Sequence, residues 1–202
     1  MSVKPVIRVF LASPSDVEEE RRVFGEVLEK LSMDSGYFFQ PLAFENALAS
    51  TGKRPQDIIN GLVDQCEVFI VVFYRRWGQY SSDSVVYTGY TEEEFERAKR
   101  RFVESGTPEI FCFFKHVDLL SIADPGEQLT KVLEFRRRIE ESHQVLYREF
   151  GTSAQFAVDL EKHLLAFAKG ELPTYPEILH VIFIYQFWQT VNPKRNVFMI
   201  WQ

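Results

Sequence analysis

The sequence predicts a three-layer α/β fold with a five-stranded, mainly parallel sheet in the order 2-1-3-4-5. Three observations support this prediction. Short runs rich in β-branched and aromatic residues alternate with amphipathic runs along roughly 170 of the 202 residues. The run VFIVVF at residues 68–73 is apolar throughout, as in a central parallel strand covered on both faces. At about 150 residues per domain, the length suits one flavodoxin-like domain and an extension.

The first two predicted strands flank a helix. Residues 6–11, VIRVFL, form the first strand, and residues 37–44 form the second. Between them, Ser15 followed three residues later by Glu18 predicts a capping box for a helix that ends near Leu31. This is the first of the repeated strand–helix units.

The rest of the alternation follows the same rules. Pro55 is favoured in the first turn of a helix, and the apolar residues from Ile58 to Cys66 recur at the spacing of one buried face. The remaining predicted strands are residues 68–73, 110–114 and 145–150, and the remaining predicted helices are residues 91–104, 126–142 and 153–169. These elements assign residues 1–170 to the α/β domain.

Residues 171–202 form a separate apolar C-terminal extension in this prediction. Its central run, ILHVIFIYQFW at residues 178–188, is shorter than the ~20 apolar residues that span a bilayer. The favoured interpretation is a strand or helix packed on the domain or on a second copy, because an apolar patch of this size invites a partner. An interfacial membrane segment and a tail without its own function are the alternatives.

Composition excludes several classes of function. With 23 Lys and Arg against 29 Asp and Glu, the net charge is −6, which disfavours nucleic-acid binding because that affinity depends on neutralising phosphates. The sequence contains no phosphate-binding loop or dinucleotide fingerprint, and its four histidines and two cysteines lack metal-ligand spacing. No cofactor and no metal are therefore expected. The N-terminus lacks the layout of a secretory signal, which favours a cytoplasmic location with reduced, buried thiols.

Topology indicates where a ligand site should lie. In a parallel sheet of this order, ligands bind beyond the carboxyl ends of the strands, where the strand order reverses. The segments at that point are residues 12–16 and residues 74–94. Glu94 lies at the start of the next helix, and two interpretations are open for it. It either closes a capping box with Thr91, or it points into the cleft and stabilises positive charge on a ribose as a glycosidic bond breaks.

Aromatic and basic residues follow the third strand. The rings of Tyr74, Trp77 and Tyr80 either stack on a nicotinamide or adenine ring or pack the loop down. Arg75 and Arg76 either contact a diphosphate or point to solvent. The pattern leaves both alternatives open for each of these residues.

Four short motifs carry a family resemblance. They are Val9-Phe10-Leu11-Ala12-Ser13-Pro14-Ser15-Asp16-Val17 followed by Glu20-Arg21, Pro55-Gln56-Asp57-Ile58-Ile59-Asn60, Trp77-Gly78, and Thr91-Glu92-Glu93-Glu94-Phe95-Glu96-Arg97-Ala98. In combination they resemble a widespread TIR-like family known only as a domain of unknown function. The match covers roughly residues 6–114. Tyr90 departs from the pattern, since the family often has Gly at that position.

The resemblance implies a TIR-like fold, similar to TIR domains and more distantly to nucleoside deoxyribosyltransferases. Those enzymes carry a Thr-x-x-Glu or Cys-x-x-Glu step at the start of the helix after strand three, and its Glu serves cleavage of N-glycosidic bonds. The matching residues here are Thr91 and Glu94. NAD or a related nucleotide is accordingly the expected substrate, with nicotinamide and an ADP-ribose product as the expected products.

The expected pocket also takes residues from three loops. Ser13 and Asp16 after the first strand and Trp77 after the third would shape it, and Glu45 after the second would add a polar contact. In TIR-like enzymes the loop after strand two often completes a neighbour's site, so activity is expected to require self-association. The resemblance further implies a role in defence or cell-death signalling, with an NTPase or sensor partner on another chain.

Two other functions stay open. The chain could be a non-enzymatic interaction module that self-associates through residues 178–188. It could instead be a nucleoside deoxyribosyltransferase or hydrolase, whose pocket would be too small for the adenylate half of NAD.

Overall fold

The computed structural model describes residues 3–42, 54–80, 86–142 and 145–172. Five strands form one sheet in the order β2-β1-β3-β4-β5. The strands are β1 (Val6–Ala12), β2 (Phe38–Leu42), β3 (Val68–Phe73), β4 (Glu109–Lys115) and β5 (Tyr147–Phe150). All neighbouring strands pair in parallel, so the predicted fold class and strand order are confirmed.

Helices cover both faces of the sheet. They are α1 (Glu18–Asp34), α2 (Pro55–Val63), α3 (Tyr90–Ser105), α4 (Leu119–Ala123), α5 (Glu127–Ser142) and α6 (Ser153–Lys169). Helix α1 packs against α6, and α2 packs against α3. The short helix α4 lies between the strand predicted at residues 110–114 and the helix predicted at residues 126–142, where the sequence predicts no helix. It has no buried residue, so it lacks the apolar stripe that would have identified it.

Successive side chains of a strand point to opposite faces of the sheet, so they pack against different helix layers. On β4, Phe113 meets Phe156 of α6 edge to face, with ring centroids 5.2 Å apart. The next residue, Phe114, packs instead near Phe135 of α5, at 6.4 Å. All six residues of β3 are buried, which agrees with its position at the centre of the sheet.

The predicted capping box at the start of the first helix is wrong. Helix α1 begins at Glu18 itself, with Val17 at the N-cap and no side-chain cap. The Ser15 hydroxyl accepts a 3.0 Å hydrogen bond from Arg76 of the loop after β3. The Ser15 hydroxyl is therefore engaged in a tertiary contact and does not cap the helix as its spacing predicts.

The sheet and its helices belong to one compact unit, Met1–Glu171. Both cysteines, Cys66 and Cys112, are buried free thiols within it. No helix in the described part of the chain is long and apolar enough to cross a membrane. The apolar run at residues 178–188 lies outside the described residues.

Candidate active site

The loops after β1 and β3 meet the start of α3 at the carboxyl edge of the sheet. Gly78 adopts a φ of +107°, and a Cβ there would lie 3.3 Å from Thr91 Oγ1 and 3.9 Å from Pro14 Cβ. Such a close approach and a positive φ favour glycine. The two segments that topology indicated therefore come together, with the first turn of α3 beside them.

Three consecutive carboxylates, Glu92, Glu93 and Glu94, are buried in this first turn. Glu92 bridges two neighbouring segments. Its Oε2 accepts hydrogen bonds from the backbone N and the hydroxyl of Thr88, both at 2.9 Å. Its Oε1 accepts a 3.0 Å bond from Arg138 of α5. These contacts fasten the end of the loop after β3 to α3 and α5.

Glu93 is paired with a cation. Arg54, the residue before α2, donates to both of its oxygens, at 3.1 and 3.0 Å. Asn60 of α2 donates a further bond of 2.8 Å to Oε1. Charge-assisted, two-point pairing of this kind favours the ionised carboxylate.

Glu94 differs from Glu92 and Glu93 in its hydrogen-bond partner, not in its burial. It is 8% exposed, and its Oε1 accepts a 3.0 Å hydrogen bond from Nε2 of Gln56. Within the described residues it forms no ion pair. Burial raises the pKa of Glu94 to about 7, and the charge of Glu93 adds to that rise. The bond from Gln56 and the charge of Arg21 oppose it.

The structure excludes the capping-box interpretation of the Thr91–Glu94 spacing. Helix α3 begins at Tyr90, with extended Gly89 at the N-cap and no side-chain cap. Glu94 is bonded across the helix interface by Gln56, so it does not close a capping box with Thr91. The carboxylate that reaches back to the preceding backbone is Glu92, through the N–H of Thr88.

Ser13 and Asp16 hold the loop after β1 in place. Arg21 of α1 donates to the Ser13 hydroxyl at 2.8 Å and to the carbonyls of Ser13 and Pro14 at 2.7 and 3.0 Å. Asp16 Oδ2 accepts from the backbone N–H groups of Arg75 and Arg76, at 2.8 and 2.9 Å. The aspartate therefore ties the loop after β1 to the loop after β3.

Trp77 packs the loop down, which is the second of the two roles considered for it. It is 1% exposed, stacks on Phe73 with centroids 5.3 Å apart, and meets Phe135 edge to face at 5.3 Å. Its indole N–H donates to Thr88 Oγ1 at 2.9 Å. The expectation that this ring would stack on a substrate is therefore corrected, because its surface is already covered.

The two tyrosines after β3 lie in cationic surroundings. The ring of Tyr74 faces the guanidinium of Arg75 at 5.0 Å and the ammonium of Lys115 at 5.2 Å. Tyr80 is exposed and donates a 2.8 Å bond to Glu127, with Lys131 4.3 Å from its ring. Tyr80 thus lies against the first turn of α5. Glu45 lies outside the described residues.

The chain matches one family of known domains. The family model for the domain of unknown function DUF4062 matches residues 8–165. The chain belongs to this family. The resemblance found in its short motifs is thereby confirmed. No curated protein matches the sequence.

Solved structures resemble this DUF4062 domain only distantly. One is the "Structure of the activated Roq1 resistosome directly recognizing the pathogen effector XopQ (TIR domains)", at 14% identity and a TM-score of 0.47, covering 78% of this chain and 99% of that chain. Another is Smu.1420 from Streptococcus mutans UA159, at 10% identity and a TM-score of 0.37, covering 78% and 97%. Neither likeness bears on what the domain does.

An open cavity of about 360 Å³ lies at the start of α5. Its lining includes Arg75 after β3, Ser121 of α4 and Gln128 of α5. The side chain of Gln128 also accepts from the backbone N–H groups of Trp77 and Gly78, at 2.8 and 3.2 Å. This cavity borders the loop after β3 but is not lined by Glu94.

In the part of the chain that the structure describes, no cluster of His, Cys, Asp or Glu could hold a metal ion.

Sequence reasoning missed the residues of α2 that reach the site. Gln56 and Asn60 were quoted only as parts of a motif, although they donate to Glu94 and Glu93 respectively. A signal was available. Two amides four residues apart share one side of a helix, and Asn60 lies among the apolar residues Ile58, Ile59, Leu62 and Val63. Polar residues at such positions need buried partners.

Proposed function

We propose that this domain cleaves the N-glycosidic bond of NAD and releases nicotinamide and ADP-ribose, with Glu94 as the carboxylate that faces the ribose. The observation that carries the proposal is that Glu94 is a buried carboxyl, without a cationic partner among the described residues, at the carboxyl edge of the sheet. Perturbed ionisable groups in such places are characteristic of active sites.

The charge changes of the reaction suit such a group. The bond between C1′ of the ribose and the ring nitrogen breaks, and its electron pair goes to nicotinamide, which leaves neutral. Positive charge moves from the pyridinium ring to the ribose, where water adds to C1′ and loses a proton. A carboxylate in a low-dielectric site interacts more strongly with this developing cation than one in water.

Substrate would also favour the active ionisation state of Glu94. In the free protein, burial holds the pKa of Glu94 near 7, so the carboxyl is partly protonated at neutral pH. A cationic nicotinamide ring nearby would favour the ionised form, as any opposite charge does. Glu94 would thus carry its full negative charge when the positive substrate is present.

Glu92 and Glu93 are poorer candidates than Glu94. The charge of Glu92 is met by Arg138, and that of Glu93 by Arg54. A carboxylate already paired with a guanidinium has less electrostatic stabilisation to offer a ribosyl cation. The resemblance of Thr91 and Glu94 to the Thr-x-x-Glu step of glycosidic-bond enzymes supports the same choice.

Assembly is part of the proposal. The resemblance implies that the loop after strand two, which contains Glu45, completes a neighbour's site. Activity should then rise faster than in proportion to protein concentration. Cleavage of a nucleoside substrate and a purely self-associating role are the competing functions.

Nicotinamide release from NAD tests the proposal directly. Wild-type protein, at low and high concentration, is compared with Glu94→Gln and with Glu104→Gln. Glu104 is an exposed glutamate on the same helix, so it provides a matched control. We expect release by the wild type and the control, and loss of about 100-fold or more in Glu94→Gln, since one electrostatic contact to a transition state contributes that much. Undiminished release by Glu94→Gln, or no release at any concentration, would overturn the proposal.

A further inference from the structure

The helix α2 carries two buried amides that the proposed reaction does not use. Gln56 is 4% exposed and Asn60 is 6% exposed. Both belong to the Pro55–Asn60 motif. Burying an amide without a hydrogen-bond partner costs free energy, so each must be satisfied by something specific. Their partners are the two adjacent carboxylates of α3.

The contacts form a short chain of hydrogen bonds. Gln56 Nε2 donates to Glu94 Oε1 at 3.0 Å and to Asn60 Oδ1 at 3.4 Å. Asn60 Nδ2 in turn donates to Glu93 Oε1 at 2.8 Å. Because the two amides are four residues apart, they share one face of α2. Each amide orientation is fixed by the next acceptor in the chain, so Gln56 presents an N–H group to Glu94.

We propose that Gln56 is a positioning residue for Glu94, which holds one carboxylate oxygen so that the other is presented to the substrate. Among the described residues, Gln56 is the donor to Oε1, and no hydrogen-bond donor is found for Oε2. This proposal rests on the proposed function for its catalytic meaning, but the contact itself can be tested without activity.

The two neighbouring carboxyls, Glu93 and Glu94, have partners of different charge. Glu93 has a cationic partner in Arg54, whereas Glu94 has a neutral donor. The charged groups that act on Glu94 are Glu93, its neighbour on α3, and Arg21 of α1, while α2 contributes the neutral amides. A neutral donor favours the ionised carboxylate without cancelling its charge. That combination leaves Glu94 able to act on a cation.

Gln56→Met removes the donor while keeping an unbranched, helix-favouring side chain of similar size. Gln65→Met is the matched control, because Gln65 is exposed and its amide donates to the carbonyl of Gly61. In Gln56→Met, we expect kcat/KM for NAD to fall about tenfold below neutral pH, the effect of one hydrogen bond to a charged group. The midpoint of the acidic limb should move to higher pH. The control should leave the profile unchanged.

A double-mutant cycle supplies a readout that does not depend on NAD. The free energy of unfolding is measured against pH for wild type, Gln56→Met, Glu94→Gln and the double variant. We expect Gln56→Met to change the pH dependence in the wild-type background and not in the Glu94→Gln background. Equal effects of Gln56→Met on the pH dependence in both backgrounds would overturn the positioning role. If coupling is found but wild type cleaves no NAD, the contact stands and the proposed function falls.

Discussion

Arg54 pairs with Glu93 through two hydrogen bonds of 3.1 and 3.0 Å, across the interface between the start of α2 and the first turn of α3. The guanidinium also faces the ring of Tyr90, at 5.8 Å from its centroid. The pair neutralises one of three adjacent buried carboxylates. It therefore limits the negative charge that accumulates around Glu94.

Removal of the guanidinium should destabilise the domain. Arg54→Met would leave the Glu93 carboxylate buried without this cation, and breaking a partly buried pair in this way costs about 1–3 kcal/mol. The measurement is the free energy of unfolding in urea at pH 8. Arg22→Met is the control, because Arg22 forms an exposed ion pair with Glu26, which should contribute less than about 1 kcal/mol. Equal losses in the two variants would contradict this prediction.

Replacement of Glu94 should stabilise the protein above neutral pH. The folded state holds the Glu94 proton up to a pKa of about 7, whereas the unfolded chain releases it near 4.5. Between these values the folded protein binds more protons, so its stability falls as pH rises and stays low above 7. Glu94→Gln removes that penalty, which is worth about 3 kcal/mol at full extent.

The pH series makes this prediction specific. Glu94→Gln and wild type should have similar unfolding free energies near pH 4 and diverge through pH 7. Glu104→Gln should follow the wild type at every pH. A Glu94→Gln variant that is less stable than wild type at pH 8 would show that the carboxylate is compensated in the folded state.

The fold class and the position of Glu94 within it could be predicted because they depend on patterns within single segments of the chain. The apolar run of β3 identifies a central strand, and the strand order then places Glu94 at the carboxyl edge. The hydrogen bonds that each side chain forms depend on partners that are distant in sequence. Gln56 lies 38 residues from Glu94, and Asn60 lies 33 residues from Glu93, so no local spacing reveals those bonds.

Capping motifs failed for the same reason. The Ser15 spacing fits a box, yet Arg76 takes the hydroxyl. The Thr91 spacing also fits a box, yet Gln56 takes Glu94, and Thr88 with Glu92 forms the local contact instead. Where several Ser, Thr and Glu residues lie near the start of a helix, contacts with residues distant in sequence determine which of them form the local capping contacts.

The rate of NAD cleavage should rise with pH if Glu94 acts as a carboxylate. The kcat/KM value reports the ionisation of the free protein, so its acidic limb should have a midpoint at about 7 and then level off. Nicotinamide release measured from pH 5 to pH 9 gives the profile. A rate that falls across this range would instead assign Glu94 the role of a proton donor.

Gly78→Ala should damage the site through the backbone. At a φ of +107° an alanine is strained, and its Cβ would approach Thr91 Oγ1 to 3.3 Å and come within 3.9 Å of Pro14. We expect a loss of about 1–3 kcal/mol in unfolding free energy, together with lower activity, since the backbone at this positive φ is strained and the Thr91 hydroxyl must shift to accommodate the methyl group. Gly61→Ala is the control, because Gly61 lies within α2 with open space around its Cβ position. Alanine there should stabilise the helix by about 0.5–1 kcal/mol. If Gly78→Ala is as stable and as active as wild type, the positive φ of Gly78 and its close approach to Thr91 are not needed for the site.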